Sequence, residues 1–225
     1  MRKSLIILGT SGNSVDILDT IADINSASGD TIFECLGFLD DNLNFVNETF
    51  YGLPVLGSLA SAPKHTKAVF VNGIGSINNY WYRDEIIKKT GLSDASFVSL
   101  IHPTASVAPS AVVERGCVLF ANVTLSAGTR IGRHVLVLAG SVINHGSSIG
   151  DHCCLATGVA ISGGVTIGCL SFIGANASIH PDISIGDRTV IGMGAALITN
   201  TGDDLIMAGV PAKKLGHRTG EAPQK

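Results

Sequence analysis

The sequence predicts a small α/β domain of the dinucleotide-binding, Rossmann-like type followed by a parallel β-helix. Three observations carry that reading. Aliphatic residues recur every six positions from Ile101 to Leu197 with no break in phase. Before Ile101, short apolar strands alternate with amphipathic segments and end in Gly-rich or acidic turns. The chain is 45% hydrophobic and only 15% charged, which a disordered chain is not.

Taken in order, Ser4 to Leu8 reads as a first buried strand. Met1-Arg2-Lys3 and the apolar run after it imitate a secretory leader, but the run is short and Gly9-Thr10-Ser11-Gly12-Asn13 follows. Val15 to Ile24 has helical spacing. Phe33 to Leu39 is a second strand, closed by Asp40-Asp41. Lys67 to Val71 is a third, closed by Asn72-Gly73-Ile74-Gly75-Ser76. Asn79 to Lys89 reads as a helix and Ser96 to Leu100 as a last strand. Strands alternating with helices give a parallel sheet.

A Gly-rich turn between strand and helix offers backbone N–H groups to an anion. Gly9-Thr10-Ser11-Gly12-Asn13 has that placement without being G-x-G-x-x-G, and a tight turn with no ligand fits it about as well. Asp40 and Asp41 stand at the C-terminal end of the next strand, where open α/β sheets gather ligand-binding groups. Gly75-Ser76 ends the third strand. Three converging strand ends point to a crevice more strongly than any one loop.

From Ile101 the hexads take over. A helix cannot keep a six-residue stripe on one face for so long, and a hexapeptide period reads as a parallel β-helix. A β-sandwich is the alternative, but its strand spacing is irregular. Four residues after each aliphatic comes a modest side chain, as at Ala105, Cys117, Thr129, Ser141, Cys153 and Val165. These fill a narrow core beside the large residues. Glycine follows the aliphatic at 132, 150, 168, 174, 186 and 192, as expected where corners need unusual angles or close approach. The domains are therefore 1–100 and 101–215, with a polar tail at 216–225 expected to be loose.

The net charge of −3 excludes a general attraction to nucleic acid or an anionic membrane. Mean hydropathy is high at +0.38, but the aliphatic repeat explains it, and no apolar run is long enough for membrane insertion. The five cysteines include no C-x-x-C. An odd count without a framework points to a reducing, cytoplasmic compartment.

The hexads resemble the left-handed β-helix of hexapeptide-repeat acyltransferases, in which three hexads make one triangular coil. Met207-Ala208-Gly209-Val210-Pro211-Ala212-Lys213 is similar to the close of that domain. A narrower resemblance spans nearly the full length. Gly9-Thr10-Ser11-Gly12-Asn13, Phe38-Leu39-Asp40-Asp41, Ile74-Gly75-Ser76 and Ile101-His102-Pro103-Thr104-Ala105 follow one another. That order is similar to sugar acetyltransferases acting on nucleotide-linked amino sugars or sialic acid. The resemblance implies that Gly9, Thr10, Ser11, Asp40, Asp41 and Gly75 bind a nucleotide-sugar. It implies acetyl-CoA as co-substrate, no metal, and a homotrimer with active sites at subunit interfaces.

His145 is the third residue of its hexad. With three hexads per coil its stacked neighbours are Ala127-Gly128 and Gly163-Gly164, all tiny, which leaves a groove beside the ring. Histidine titrates near neutrality and suits a general base; an exposed corner histidine with no role fits the spacing equally. The resemblance matches His145, ahead of Ile149-Gly150-Asp151, to the family's catalytic base. Where the family often carries an acid next to that histidine, this chain has Gly146, so Glu114 and Asn144 are candidates to orient the ring. Cys154 stands where relatives can carry a second histidine that helps hold the thioester. Gly163 matches a position whose N–H bonds the donor, and Ala175 and Met193 fall in later coils of the same track. His134 and His152 lie eighteen apart and are expected to stack, without a third ligand for zinc.

The expected protein is an acetyl-CoA-dependent N-acetyltransferase acting on the amine of a nucleotide-linked amino sugar, of the 4-amino-4,6-dideoxy type, for surface glycan synthesis. The alternatives are O-acetylation of sialic acid or another sugar, a non-catalytic nucleotide-sugar-binding β-helix, and a zinc hydratase.

Overall fold

The computed structural model describes residues 2–42, 45 and 48–217. The first domain is built on β1 (Lys3–Leu8), α1 (Gly12–Ser28) and β2 (Phe33–Leu39). A short hairpin, β3 (Thr49–Phe50) with β4 (Leu53–Pro54), precedes β5 (Ala68–Asn72) and α2 (Arg83–Lys89). The sheet is parallel in the order β2-β1-β5. Leu8 pairs with Leu39 on one side and Asn72 on the other, so the turns after all three strands open at one edge.

Two N-terminal elements differ from expectation. The segment 79–89 is a 3-10 turn at Tyr80–Tyr82 and then α2. The expected strand Ser96–Leu100 does not form. Asp94–Ser96 is a 3-10 turn, Phe97 makes a single bridge to Phe70, and Leu100 already belongs to the next domain. The chain leaves the sheet here because it must turn onto the solenoid axis. The β3–β4 hairpin, unmarked in the sequence reading, turns on Tyr51 and Gly52, whose φ values are 49° and 77°.

From Leu100 the chain winds as a parallel β-helix of two-residue strands stacked into three sheets. Each strand pairs eighteen residues on: Leu125 with Ile143, Ile143 with Ile161, Ile161 with Ile179, Ile179 with Leu197. The six-residue stripe is the core. Every stripe residue from Leu119 to Leu197 is buried, while Ile101 at the open first coil is 39% exposed. Burying each such side chain is worth about 1.5–3 kcal/mol. The modest residues interleave with them, and their hydroxyls are satisfied. Ser141 Oγ donates to Ala156 O at 2.9 Å and Ser147 Oγ to Ser162 O at 2.8 Å, so neither hydroxyl is stranded in the core.

The glycines after the stripe residues answer one of the two expected needs. They do not have left-handed angles; they allow close approach. A Cβ at Gly150 would lie 2.7 Å from Cys169 N. The left-handed turn comes two residues later, at Gly146 (φ 68°) and Gly164 (69°), and also at His134 (56°) and His152 (62°).

The first domain covers one solenoid face. Leu100, Val118, Leu136, Cys154 and Val190 share a buried cluster with Leu5, Ile17 and Tyr80. At the far end, strand Leu205–Ala208 pairs in parallel with Val190–Ile191, and Lys213–His217 returns antiparallel. Gly216 and His217 pair with Ile206 and Leu205, so these two residues are strand where a loose tail was expected; 218–225 lies outside the described residues.

Candidate active site

The level ends of β1, β2 and β5 bring the first group of expected residues together. Thr10 donates to Asp40 Oδ2 from its N–H at 2.7 Å and from its hydroxyl at 2.6 Å. Asp40 thus fixes the Gly9–Asn13 turn. Asp41 turns away and accepts from Leu59 N at 2.9 Å. Ser11 caps α1 and its hydroxyl donates to Gly73 O at 3.2 Å. Asn13 closes the crevice, donating from Nδ2 to Gly75 O at 2.7 Å and to Gly73 O at 3.3 Å. Gly9 (φ 91°) is packed on Ile74, where a side chain would collide. Two turns far apart in sequence therefore form one rigid rim.

His145 is exposed at the corner after strand Val142–Ile143. Its ring lies on Gly163: a Cβ there would sit 2.7 Å from Nε2 and 2.8 Å from Cε1. Gly163 N–H has no acceptor among the described residues. An imidazole nitrogen and an unpaired backbone donor thus share one corner. Neither orienting candidate reaches the ring. Asn144 Nδ2 is committed to Ile161 O at 2.9 Å. Glu114 follows a strand of another sheet, paired to Arg130–Ile131, and lies exposed on a different edge. Three hexads per coil already put Glu114 on a different stripe from His145, whereas the Asn144 side-chain bond could not be read from the spacing.

Ala175 and Met193 come together in a groove of about 480 Å3 on the covered face's edge. Gly174, Gly192, Phe172, Leu215 and Ile77 line it with them. Met193 is 82% exposed at its mouth. Ile77 follows the Gly73–Ser76 turn, so the crevice at the strand ends and this groove adjoin within one chain. His145 lies one solenoid face away from both.

Cys154 is not in the groove. It is 2% exposed, beneath Gly75 and Arg83, and a Cβ at Gly75 would lie 2.8 Å from its Sγ. Burial pushes its thiol pKa up, which disfavours the thiolate. A residue just before a stripe residue points outward, and on this face outward is the domain interface. The stacked histidines are real: the His134 and His152 rings lie 5.2 Å apart at 8°. Burial, with the neighbouring His134 charge, lowers His152 to about 4. Asp94 accepts from His134 Nε2 at 3.2 Å. Among the described residues no group of three His, Cys, Asp or Glu is placed to hold a metal ion. No described helix is long and apolar enough to cross a membrane.

Sequence reasoning missed Asn13 as a clamp, Ile77 as groove lining, and Arg83, which is completely buried. Arg83 lies within the expected helix Asn79 to Lys89, and nothing in the sequence pattern marks it.

The bacterial transferase hexapeptide family model matches residues 128–163 and 164–198. No curated protein matches in sequence. Among solved structures, PerB from Caulobacter crescentus, in complex with CoA and GDP-perosamine, is 27% identical. The match covers 95% of this chain and 97% of that one with a TM-score of 0.80. Along nearly its whole length the chain resembles the hexapeptide-repeat sugar acetyltransferases. The acetyltransferase domain of PglB from Neisseria gonorrhoeae, in complex with acetyl coenzyme A, is 25% identical over 96% of this chain and 100% of that one, TM-score 0.82. WeeI from Acinetobacter baumannii, at 18% identity over 96% and 100% with a TM-score of 0.65, shares the fold. The likeness to PerB and to the PglB acetyltransferase domain therefore includes both domains, not the repeat alone.

Proposed function

We propose that this enzyme transfers the acetyl group of acetyl-CoA to the amine of a nucleotide-linked amino sugar. The observation that carries the reading is the His145 ring seated on Gly163, whose N–H is unpaired, in a chain that matches an N-acetyltransferase over both domains. The nucleotide would sit at the rim of Thr10, Ser11, Asp40 and Gly75. The pantetheine arm would lie along Ala175 and Met193, where small neighbours leave room and both N–H groups lack acceptors among the described residues.

In the reaction the sugar amine attacks the thioester carbonyl. His145 accepts the proton that the nitrogen sheds. Gly163 N–H holds the oxyanion of the tetrahedral intermediate. The C–S bond then breaks, and His145 returns its proton to the departing thiolate. An amine needs less activation than a hydroxyl, which suits a base with no carboxylate on its ring.

Three copies packed side by side would complete the site. Rotation about an axis parallel to the solenoid preserves height, and His145 lies one hexad beyond Ala139 in the same coil. It would therefore face the neighbour's edge near Ala139 and Thr157, just below Ala175. The test is thiol release from acetyl-CoA with a panel of acceptors: GDP-perosamine, uridine- and thymidine-linked 4-amino sugars, and sialic acid. Turnover on an amino sugar that His145→Ala abolishes is expected. Turnover on sialic acid alone would replace N- by O-acetylation, and activity surviving His145→Ala would refute the mechanism.

A further inference from the structure

Arg83 carries a full charge in the interior, and no described carboxylate pairs with it. A buried charge is costly unless its donors are used. Two of them are, and they join the domains. Nη1 donates to Ile74 O in the crevice turn, and Nη2 donates to His134 O of the β-helix at 2.6 Å. The same turn is held from its other side by Asn13, through Gly73 O and Gly75 O. Three successive carbonyls, of Gly73, Ile74 and Gly75, are thus committed.

The Ile74–Gly75 peptide is trans. In a trans peptide the carbonyl and the following N–H point in opposite directions. Arg83 draws Ile74 O toward the β-helix, so Gly75 N–H is turned away from it, toward the crevice. That N–H has no acceptor among the described residues. Gly75 has to be glycine for this, since a Cβ would overlap Arg83 and lie 2.7 Å from Leu136. The guanidinium behind the turn adds an unpaired positive field that favours an anion in front of it.

We propose that Arg83 is a positioning residue: it fixes the Ile74–Gly75 peptide so that Gly75 N–H receives the diphosphate of the nucleotide-sugar. This rests on the nucleotide-sugar reading above. Arg83 itself touches no substrate.

The test is Arg83→Lys, which keeps the charge but reaches one carbonyl instead of two. Initial rates against each substrate should show KM for the nucleotide-sugar up about tenfold or more, as loss of a charge-assisted hydrogen bond implies. KM for acetyl-CoA should not move. Calorimetry with nucleoside diphosphate and monophosphate of the accepted base should show weakened diphosphate binding and unchanged monophosphate binding. Equal loss for both nucleotides, or for both substrates, would make Arg83 merely structural and overturn the proposal. Should Arg83→Lys fail to fold, Asn13→Ala loosens the same turn from its exposed side and must give the same selective rise; an unchanged KM overturns it. A wild type that neither binds nucleotide nor turns over any amino sugar would instead remove the reading beneath it.

Discussion

Gly163→Ala isolates the geometry of the His145 corner. The added Cβ would lie 2.7 Å from Nε2 and 2.8 Å from Cε1, and ordinary contact begins at 3.4 Å, so the ring must retreat by about 0.7 Å. Gly163 has no left-handed backbone angle, so alanine adds no strain there. His145 is exposed, so its displacement costs little stability, within about 0.5 kcal/mol. A catalytic group moved by that much loses alignment, and kcat should fall about 100-fold. Both KM values should stay near wild type, because neither crevice nor groove is altered. Stopped assays of thiol release, beside a thermal melt, read all of this. Wild-type kcat in Gly163→Ala, with His145→Ala inactive, would refute the claim that the ring works in the seat described. A melting point several degrees lower would show instead that the contact is structural.

Other outcomes follow from the same structure. Cys154→Ala should keep turnover within about threefold, with only a small stability loss for a modest cavity; a hundredfold loss would return Cys154 to the donor site. In the native protein, thiol reagents should modify the half-buried Cys35 and Cys169 and spare Cys117, Cys153 and Cys154, as mass spectrometry of the labelled protein would show. His152 is held near 4 by burial, against 6.5 when unfolded. The unfolded chain therefore binds more protons between those values, so this stability is intact above 6.5 and lost as pH falls toward 4. His152→Asn, suited to the left-handed angle, should make the melting temperature less pH-dependent over that window, by several degrees. Ile161→Ala, in the middle of the stripe, should cost about 2–5 kcal/mol by denaturant titration.

The solenoid was legible because its period is its hydrogen-bond register. Once Ile143 and Ile161 are recognised as one stripe at three hexads per coil, their pairing follows, and so does the seat of His145 over Gly163. The crevice was legible in outline, since strand ends converge in any parallel α/β sheet. What could not be read was commitment. Asp41 and Asp40 are adjacent in sequence, yet one fixes Thr10 and the other caps a 3-10 turn. Cys154 sits in the repeat like any outward residue, and only the docked domain makes it interior. Arg83 carried no mark because the face that buries it lies about fifty residues away in sequence, at His134. Errors at Ser96–Leu100 have the same origin, since a strand-like pattern there serves a change of direction.

The hairpin at the end of the solenoid also decides what the molecule does not become. A parallel coil offers its last strands' N–H and C=O groups to anything extended, including the first coil of another copy, and such growth has no natural stop. Lys213–His217 reverses the chain against Leu205–Ala208 and so substitutes an antiparallel edge bearing Lys213 and Lys214 for a parallel template. On the one sheet of the three that carries it, the turn from Ala208 to Lys213 thus works as a stop: further strands cannot add there in parallel register.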